Sequence, residues 1–106
     1  MDAWHEKVVI VTGASAGLGR SIARAFAEAG AKVVLAARRV GPLNEVAQSL
    51  ESQGRTGLAV PVDVTKDADV QMLIERTREK FGRLDVLVNN VGRSARGTLL
   101  DTTPEQ

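Results

Sequence analysis

Short apolar runs rich in β-branched residues alternate along this chain with longer segments whose apolar residues recur at helical spacing. Four runs predict strands, at residues 7–11, 32–37, 57–62 and 84–88. Three segments predict helices, at residues 20–29, from near Pro42 to Gly54, and from Thr65 to Gly82. Apolar runs without polar alternation are typical of strands that are buried on both faces of a sheet. The pattern therefore predicts an α/β fold with a parallel sheet.

The position of Pro61 in the third predicted strand fits the strand order of a doubly wound sheet. Proline has no N–H donor and is tolerated best on a sheet edge. In the doubly wound order 3-2-1-4 the third strand is outermost. We therefore predict a doubly wound parallel sheet, a Rossmann fold, with helices on both faces and the carboxyl ends of all strands along one rim.

The predicted helices carry start and stop signals. Pro42 suits a first helical position, Thr65 is predicted to cap the third helix, and Gly82 to end it. Nine residues at helical spacing form the predicted buried stripes of the second and third helices: Leu43, Val46, Ala47, Leu50, Val70, Leu73, Ile74, Thr77 and Phe81.

Three glycines stand between the first predicted strand and the first predicted helix. Gly13 suits a tight turn, Gly17 allows a pyrophosphate to approach the backbone, and Gly19 allows the helix to pack closely on the strand. The N–H groups at the start of a helix then face the phosphates. This arrangement predicts a diphosphate cradle, with a glycine-rich turn of another α/β protein as the alternative.

The G-x-x-x-G-x-G spacing, introduced by Thr12, resembles the short-chain dehydrogenase/reductase family. Two further motifs support the resemblance. The segment Asn89-Asn90-Val91-Gly92 is similar to the family's Asn-Asn-Ala-Gly signature, with Val91 in place of Ala, and Asp63-Val64 matches its adenine-contacting pair. The resemblance covers nearly the whole chain. It implies the cofactor-binding half of an oxidoreductase that transfers a hydride between a nicotinamide cofactor and a carbonyl or alcohol substrate.

Motif and resemblance together predict twelve cofactor-binding residues: Gly13, Ser15, Gly17, Leu18, Gly19, Arg38, Arg39, Asp63, Val64, Asn90, Val91 and Gly92. By resemblance, Ser15 would bond the adenosine ribose or its phosphate, and Asp63 with the Val64 backbone would hold the adenine. Residues 90–92 would pass beneath the cofactor. Thr12 and Asn89 are equally compatible with a purely structural role. No metal site is predicted.

The end of the second predicted strand bears on the choice of cofactor. An NAD site usually has an acidic residue here that binds the ribose 2′-OH. This chain has Ala36 and Ala37, followed by Arg38 and Arg39. Arg38 is suited to a charge-assisted bond with a 2′-phosphate, which predicts NADP(H) over NAD(H). Ala16, where NADP-preferring relatives often have a second basic residue, argues for a moderate preference, and two solvated arginines are the alternative.

The composition of the chain excludes several other classes of protein. The 14 Lys and Arg residues nearly balance 13 Asp and Glu residues, which is not the pattern of a nucleic-acid-binding domain. The absence of cysteine excludes a disulfide framework and a thiolate metal site. We find no signal-peptide pattern and no apolar run approaching the ~20 residues of a membrane span. The expected location is the cytoplasm, and the resemblance implies that the longer protein containing this domain is a homo-oligomer.

No catalytic residue is assigned. The family uses a Tyr-x-x-x-Lys pair with Ser and Asn, whereas this chain has no tyrosine, and Ser94 follows the Asn-Asn motif too closely for that serine. Thr103 to Gln106 has the pattern of a helix start. We therefore expect residues 1–106 to be a truncated dinucleotide-binding domain, inactive alone and prone to associate through its fourth strand. The other hypotheses are a non-catalytic nucleotide- or partner-binding module and, less favoured, a methyltransferase.

Overall fold

A parallel sheet with helices on both faces forms the part of the chain that the computed structural model describes, residues 4–90. The elements are, in chain order, β1 (Val8–Thr12), α1 (Gly17–Glu28), β2 (Lys32–Ala37), α2 (Val40–Ser52), β3 (Thr56–Pro61), α3 (Asp67–Phe81) and β4 (Val86–Val88). The strand order is β3-β2-β1-β4, and every neighbouring pair is parallel. The predicted fold and strand order are confirmed.

Successive residues of β1 and β2 point to opposite faces of the sheet, as the pleat requires. One face packs against α1 and α2, and its buried strand residues include Val9, Val11, Val33 and Leu35. The other face packs against α3, and its buried strand residues include Val8, Ile10, Val34 and Ala36. Because both faces are covered, these strands are apolar throughout instead of alternating with polar residues.

Two predictions about helix starts are wrong. Helix α2 begins at Val40, so Pro42 is its third residue. Proline fits there because the N–H groups of the first turn lack an intrahelical acceptor in any case. Thr65 does not cap α3, whose N-cap position is Lys66. The Thr65 hydroxyl donates instead to the Asp63 carboxylate, at 2.6 Å.

Other features of the predicted elements agree with the structure. Gly82 ends α3 in the left-handed conformation, at φ 80°. Leu43, Leu50 and Leu73 are fully buried on their predicted faces. Pro61 pairs with Ala37 on the outer strand β3. That position requires no N–H donor on its outer side, as its place on a sheet edge predicts.

Residues 91–106 lie outside the described part of the chain, so the predictions for Val91, Gly92, Ser94 and the helix start at Thr103 concern residues that are not described. Within residues 4–90, none of the helices combines the length and apolar character needed to cross a membrane.

Candidate dinucleotide-binding site

A cavity of about 180 Å³ opens at the carboxyl ends of β1, β2 and β3. Its lining comes from three separate segments: Gly13, the run from Ala36 to Arg38, and the run from Val62 to Thr65. Complete small-molecule pockets usually measure ~300–1,000 Å³. The cavity is therefore of a size to hold one end of a long ligand, with the rest lying along the sheet edge.

The glycine turn after β1 begins beside this cavity. Gly13 and Gly17 have left-handed backbones, with φ of 64° and 58°. The Ala14 N–H donates to the Ala36 carbonyl at 3.2 Å, which ties the turn to the end of β2. The N-cap residue of α1 is Ala16, whose side chain offers no acceptor to the first N–H groups of the helix. These N–H groups therefore remain available to an anion.

Asn90 is packed into the glycine turn. A Cβ atom on Gly13 would lie 3.1 Å from Asn90 Nδ2, and one on Gly19 would lie 2.6 Å from the same nitrogen. A Cβ on Gly19 would also overlap the Gly13 carbonyl oxygen. Two glycines thus make room for the amide, so that the glycine turn and the end of β4 form one packed unit.

The Thr12 hydroxyl bridges β1 and the segment after β4. It accepts from the Asn90 N–H at 2.8 Å. Its single proton has two acceptors in range, Asn89 Oδ1 at 3.1 Å and the Val88 carbonyl at 3.3 Å. Thr12 is 4% exposed. Of the two roles considered from the sequence, these contacts favour the structural one for Thr12 and Asn89.

Arg38 is an exposed residue that lines the cavity directly after β2. The two residues before it are Ala36 and Ala37, so no carboxylate stands at the end of this strand. Arg39 is also exposed and occupies the N-cap position of α2, outside the lining of the cavity. Of the two predicted arginines, the structure brings only Arg38 to the cavity.

Asp63 is the carboxylate of the cavity. Its Oδ1 accepts from the Thr65 hydroxyl at 2.6 Å and from the Thr65 N–H at 3.0 Å. The bond from the Thr65 hydroxyl is the main cause that lowers the pKa of Asp63, and the Thr65 N–H and the positive charge of Arg38 add to it. Asp63 is therefore an ionised acceptor at neutral pH, close to a guanidinium.

Two further residues contribute contacts to the site: Thr65, which was predicted only to cap the third helix, and Asp69, in the first turn of α3. Asp69 Oδ2 accepts the backbone N–H of Asp63 at 2.9 Å. The Asp-x-Thr spacing is a signal for the Thr65 contact, because an aspartate commonly bonds the backbone two residues later. The Asp69 contact has no comparable local signal.

The other predicted residues that the structure describes, Ser15, Leu18 and Val64, lie along the same edge. Ser15 is half-buried in the glycine turn, and Leu18, at the start of α1, is 68% exposed. Neither lines the cavity, whereas Val64 does. The lone histidine, His5, lies before β1 at the amino end of the sheet, where it contacts Glu6 at 3.3 Å.

Comparison with known proteins decides the family. The family model described as short chain dehydrogenase matches residues 7–106. The chain belongs to the short-chain dehydrogenase family. Membership implies a nicotinamide dinucleotide of the NAD(P) type as cofactor, and the glycine turn, the open start of α1 and the Asp63 acceptor all fit such a ligand.

Relatives of this short-chain dehydrogenase chain are substantially longer. It is 42% identical over 100 residues to the uncharacterized oxidoreductase YxnA of Bacillus subtilis, covering 94% of this chain and 28% of the relative. It is 47% identical over 87 residues to 11-beta-hydroxysteroid dehydrogenase A of Sesamum indicum, covering 81% and 25%. The chain thus spans between a quarter and a third of the length of these relatives.

Solved structures agree with the fold of this short-chain dehydrogenase chain. The apo form of glucose dehydrogenase from Caenorhabditis elegans superposes with a TM-score of 0.80 at 42% identity, covering 87% of this chain and 40% of that one. Hydroxysteroid dehydrogenase from Escherichia coli superposes with a TM-score of 0.82 at 36% identity, covering 85% and 38%.

Proposed function

We propose that this chain is the NADP(H)-binding domain, residues 1–106, of an oxidoreductase that transfers a hydride between NADP(H) and a carbonyl or alcohol substrate. The observation that carries the cofactor preference is the end of β2, where Arg38 lines the cavity and no carboxylate precedes it. A carboxylate there would bond a ribose 2′-OH and repel a 2′-phosphate. Arg38 instead favours the 2′-phosphate, because its guanidinium binds phosphate oxygens through two parallel donors.

The adenine end of the cofactor occupies the cavity. Its walls include the apolar side chains of Ala36, Val62 and Val64, which suit the faces of a flat ring. Asp63 provides an acceptor for the exocyclic amino group. The 2′-phosphate then lies beside Arg38, at the mouth of the cavity.

The diphosphate lies over the glycine turn, where the N–H groups that open α1 receive it. Ser15 and Leu18 flank this path, and the family resemblance assigns residues 90–92 to binding of the other half of the cofactor. Bound NADPH supplies the hydride, and the residues of this chain bind and orient it. The substrate class, a small alcohol or carbonyl compound, follows from the family alone.

We also assign the full-length protein to the cytoplasm as a homo-oligomer. A chain without cysteine is compatible with a reducing compartment. The oligomer is supported only by the family resemblance.

The first test compares Arg38→Ala with the parent chain in binding titrations with NADPH and NADH. A hydrogen bond to a charged group contributes roughly 1.5–3 kcal/mol, so the affinity for NADPH should fall about 10- to 100-fold. The affinity for NADH should change little, because it has no 2′-phosphate.

Arg55→Ala is the matched control. Arg55 is exposed just before β3, at the opposite end of the strands, and its loss should leave both affinities unchanged. Equal affinity of the parent chain for NADPH and NADH, or full NADPH affinity in Arg38→Ala, would contradict the proposed preference.

A further inference from the structure

The backbone and side chain of Asp63 are held from several directions at once. Its N–H donates to Asp69 Oδ2 at 2.9 Å, and its carbonyl accepts from the Lys66 N–H at 3.0 Å. Carboxylate oxygen Oδ1 accepts both the hydroxyl and the N–H of Thr65. Within residues 4–90, Oδ2 is the one polar atom of Asp63 without a hydrogen-bond partner.

Asp69 makes its contact from outside the cavity. It is the third residue of α3 and does not belong to the lining. An acidic residue in the first turn of a helix ordinarily stabilises the helix through its dipole, and Asp67 occupies an equivalent place. The carboxylate of Asp69 instead reaches six residues back along the chain to the point where β3 leads into the cavity. It thereby fixes Asp63 to a regular element of the fold.

We propose that Asp69, together with Thr65, positions Asp63 so that a single carboxylate oxygen selects a purine with an exocyclic amino group. This inference rests on the proposed function, since it concerns the base of the same cofactor. A fixed oxygen accepts from the amino group of adenine. Hypoxanthine has a carbonyl oxygen in place of this amino group. Its nearest donor is the N1–H, one ring position away, which a carboxylate held in place cannot reach.

A carboxylate released from Asp69 or Thr65 can move to meet that N1–H. Loss of either positioning residue should therefore reduce the preference for adenine over hypoxanthine. It need not reduce overall affinity in the same proportion. The ratio of the two affinities separates positioning from general stability, because both ligands have the same charge and the same remaining contacts.

The experiment titrates the whole 106-residue chain with NADPH and with its hypoxanthine analogue, which differs only in the C6 substituent of the base and in the proton on N1. The parent chain should prefer NADPH about tenfold or more, as expected for a hydrogen bond to a charged acceptor. In Asp69→Ala this ratio should fall roughly 2- to 10-fold, the range that one hydrogen bond contributes. Asp69→Asn should restore the ratio, because its amide oxygen accepts the same N–H.

Two control variants exclude charge and general destabilisation. Asp67→Ala removes an equal charge from the same helical turn and should leave the ratio unchanged. Thr56→Val, at the other end of β3, is the second control and should likewise leave the ratio unchanged. Thr65→Val is a second test variant, because it removes the exposed hydroxyl that bonds Asp63, and it should lower the ratio. Thr65→Val keeps the inference testable if Asp69→Ala does not fold.

The outcomes distinguish this inference from the proposed function. If the parent chain does not bind NADPH, the proposed function fails. If it binds NADPH but Asp69→Ala and Thr65→Val keep the parent ratio, only the positioning role is overturned. A lower melting temperature in Asp69→Ala with an unchanged ratio likewise assigns Asp69 to the helix alone.

Discussion

At the scale of single residues, the glycine turn has two positions, Gly17 and Gly19, at which a side chain would strain the backbone or overlap its neighbours. Gly19 is buried against the Gly13 carbonyl and the Asn90 amide, and a Cβ there would meet both. Gly17 has open space around it, and its requirement is the left-handed φ of 58°. The two glycines are therefore needed for different reasons, one for packing and one for backbone conformation.

Gly19→Ala should destabilise the fold and the cradle together. The added methyl forces the turn away from α1, and overpacking of this kind typically costs about 1–3 kcal/mol in unfolding free energy. Urea unfolding monitored by circular dichroism provides the measurement. Ser21→Ala is the control, because Ser21 is exposed on α1 and its exchange leaves the contact between the turn and the helix intact, so the stability should not fall. Equal stability of Gly19→Ala and the parent would refute the packing argument.

At the scale of elements, the pairing of β1 with β4 begins at a carboxylate. Asp85 donates its N–H to the Val8 carbonyl at 2.9 Å, and its Oδ2 accepts the Val8 N–H at 2.8 Å. The Arg83 guanidinium binds both oxygens of the same carboxylate. Asp85 thus continues the ladder beyond the three residues of β4 by using its side chain. At the other end of the strand, Thr12 makes the corresponding bridge.

The Asp85 contacts predict a dependence of stability on pH. The bond from Arg83 is the main cause that lowers the pKa of Asp85, with the Val8 N–H and nearby positive charges adding to it. A carboxyl whose pKa is lower in the folded state stabilises the fold above its unfolded pKa, near 3.9, and this contribution disappears as the pH falls through the folded pKa.

Asp85→Asn should accordingly be less stable than the parent chain at pH 7, and the difference in unfolding free energy should shrink as the pH falls below about 4. Denaturant midpoints measured between pH 2 and pH 7 test this. Glu51→Gln, at the exposed end of α2, is the control and should follow the parent curve. A difference that stays constant down to pH 2 would show that the carboxylate is not responsible.

At the scale of the whole molecule, the candidate site exists only because the sheet is assembled. Gly13, Arg38 and Asp63 each follow a different strand, and parallel pairing brings the ends of β1, β2 and β3 to one edge. An unfolded chain cannot present these groups together. Cofactor binding and folding are therefore thermodynamically linked.

Linkage predicts that NADPH stabilises the folded chain. At a free NADPH concentration 100 times its dissociation constant, the unfolding free energy should rise by about 2.7 kcal/mol. Chemical denaturation with and without NADPH measures the shift. At the same NADPH concentration, Arg38→Ala should show a smaller shift, and nicotinamide mononucleotide, which has no adenine, should have little effect. An unchanged midpoint at saturating NADPH would contradict a site built from the folded sheet.

Local sequence patterns predicted the elements, and the general order of doubly wound sheets, which Pro61 fits, predicted the strand order. Continuous apolar runs mark strands buried on both faces, and Pro61 indicates an edge strand because it cannot donate to a neighbour. Helix starts were less predictable. The N–H groups of a first turn have no intrahelical partner, so a helix can start one or two residues away from the expected position. Pro42 accordingly stands at the third position of α2, and Thr65 bonds Asp63 instead of capping α3.

By itself, the sequence determined the fold class, the glycine turn and the residues after each strand, because these depend on spacing along the chain. Tertiary structure alone decided which of two adjacent arginines lines the cavity, that Asn90 fills the space left by Gly13 and Gly19, and that Asp69 holds Asp63. Such contacts join residues whose relative positions depend on strand register and on the way each helix packs. A local sequence pattern predicts neither of these, since both follow from the packing of the whole sheet.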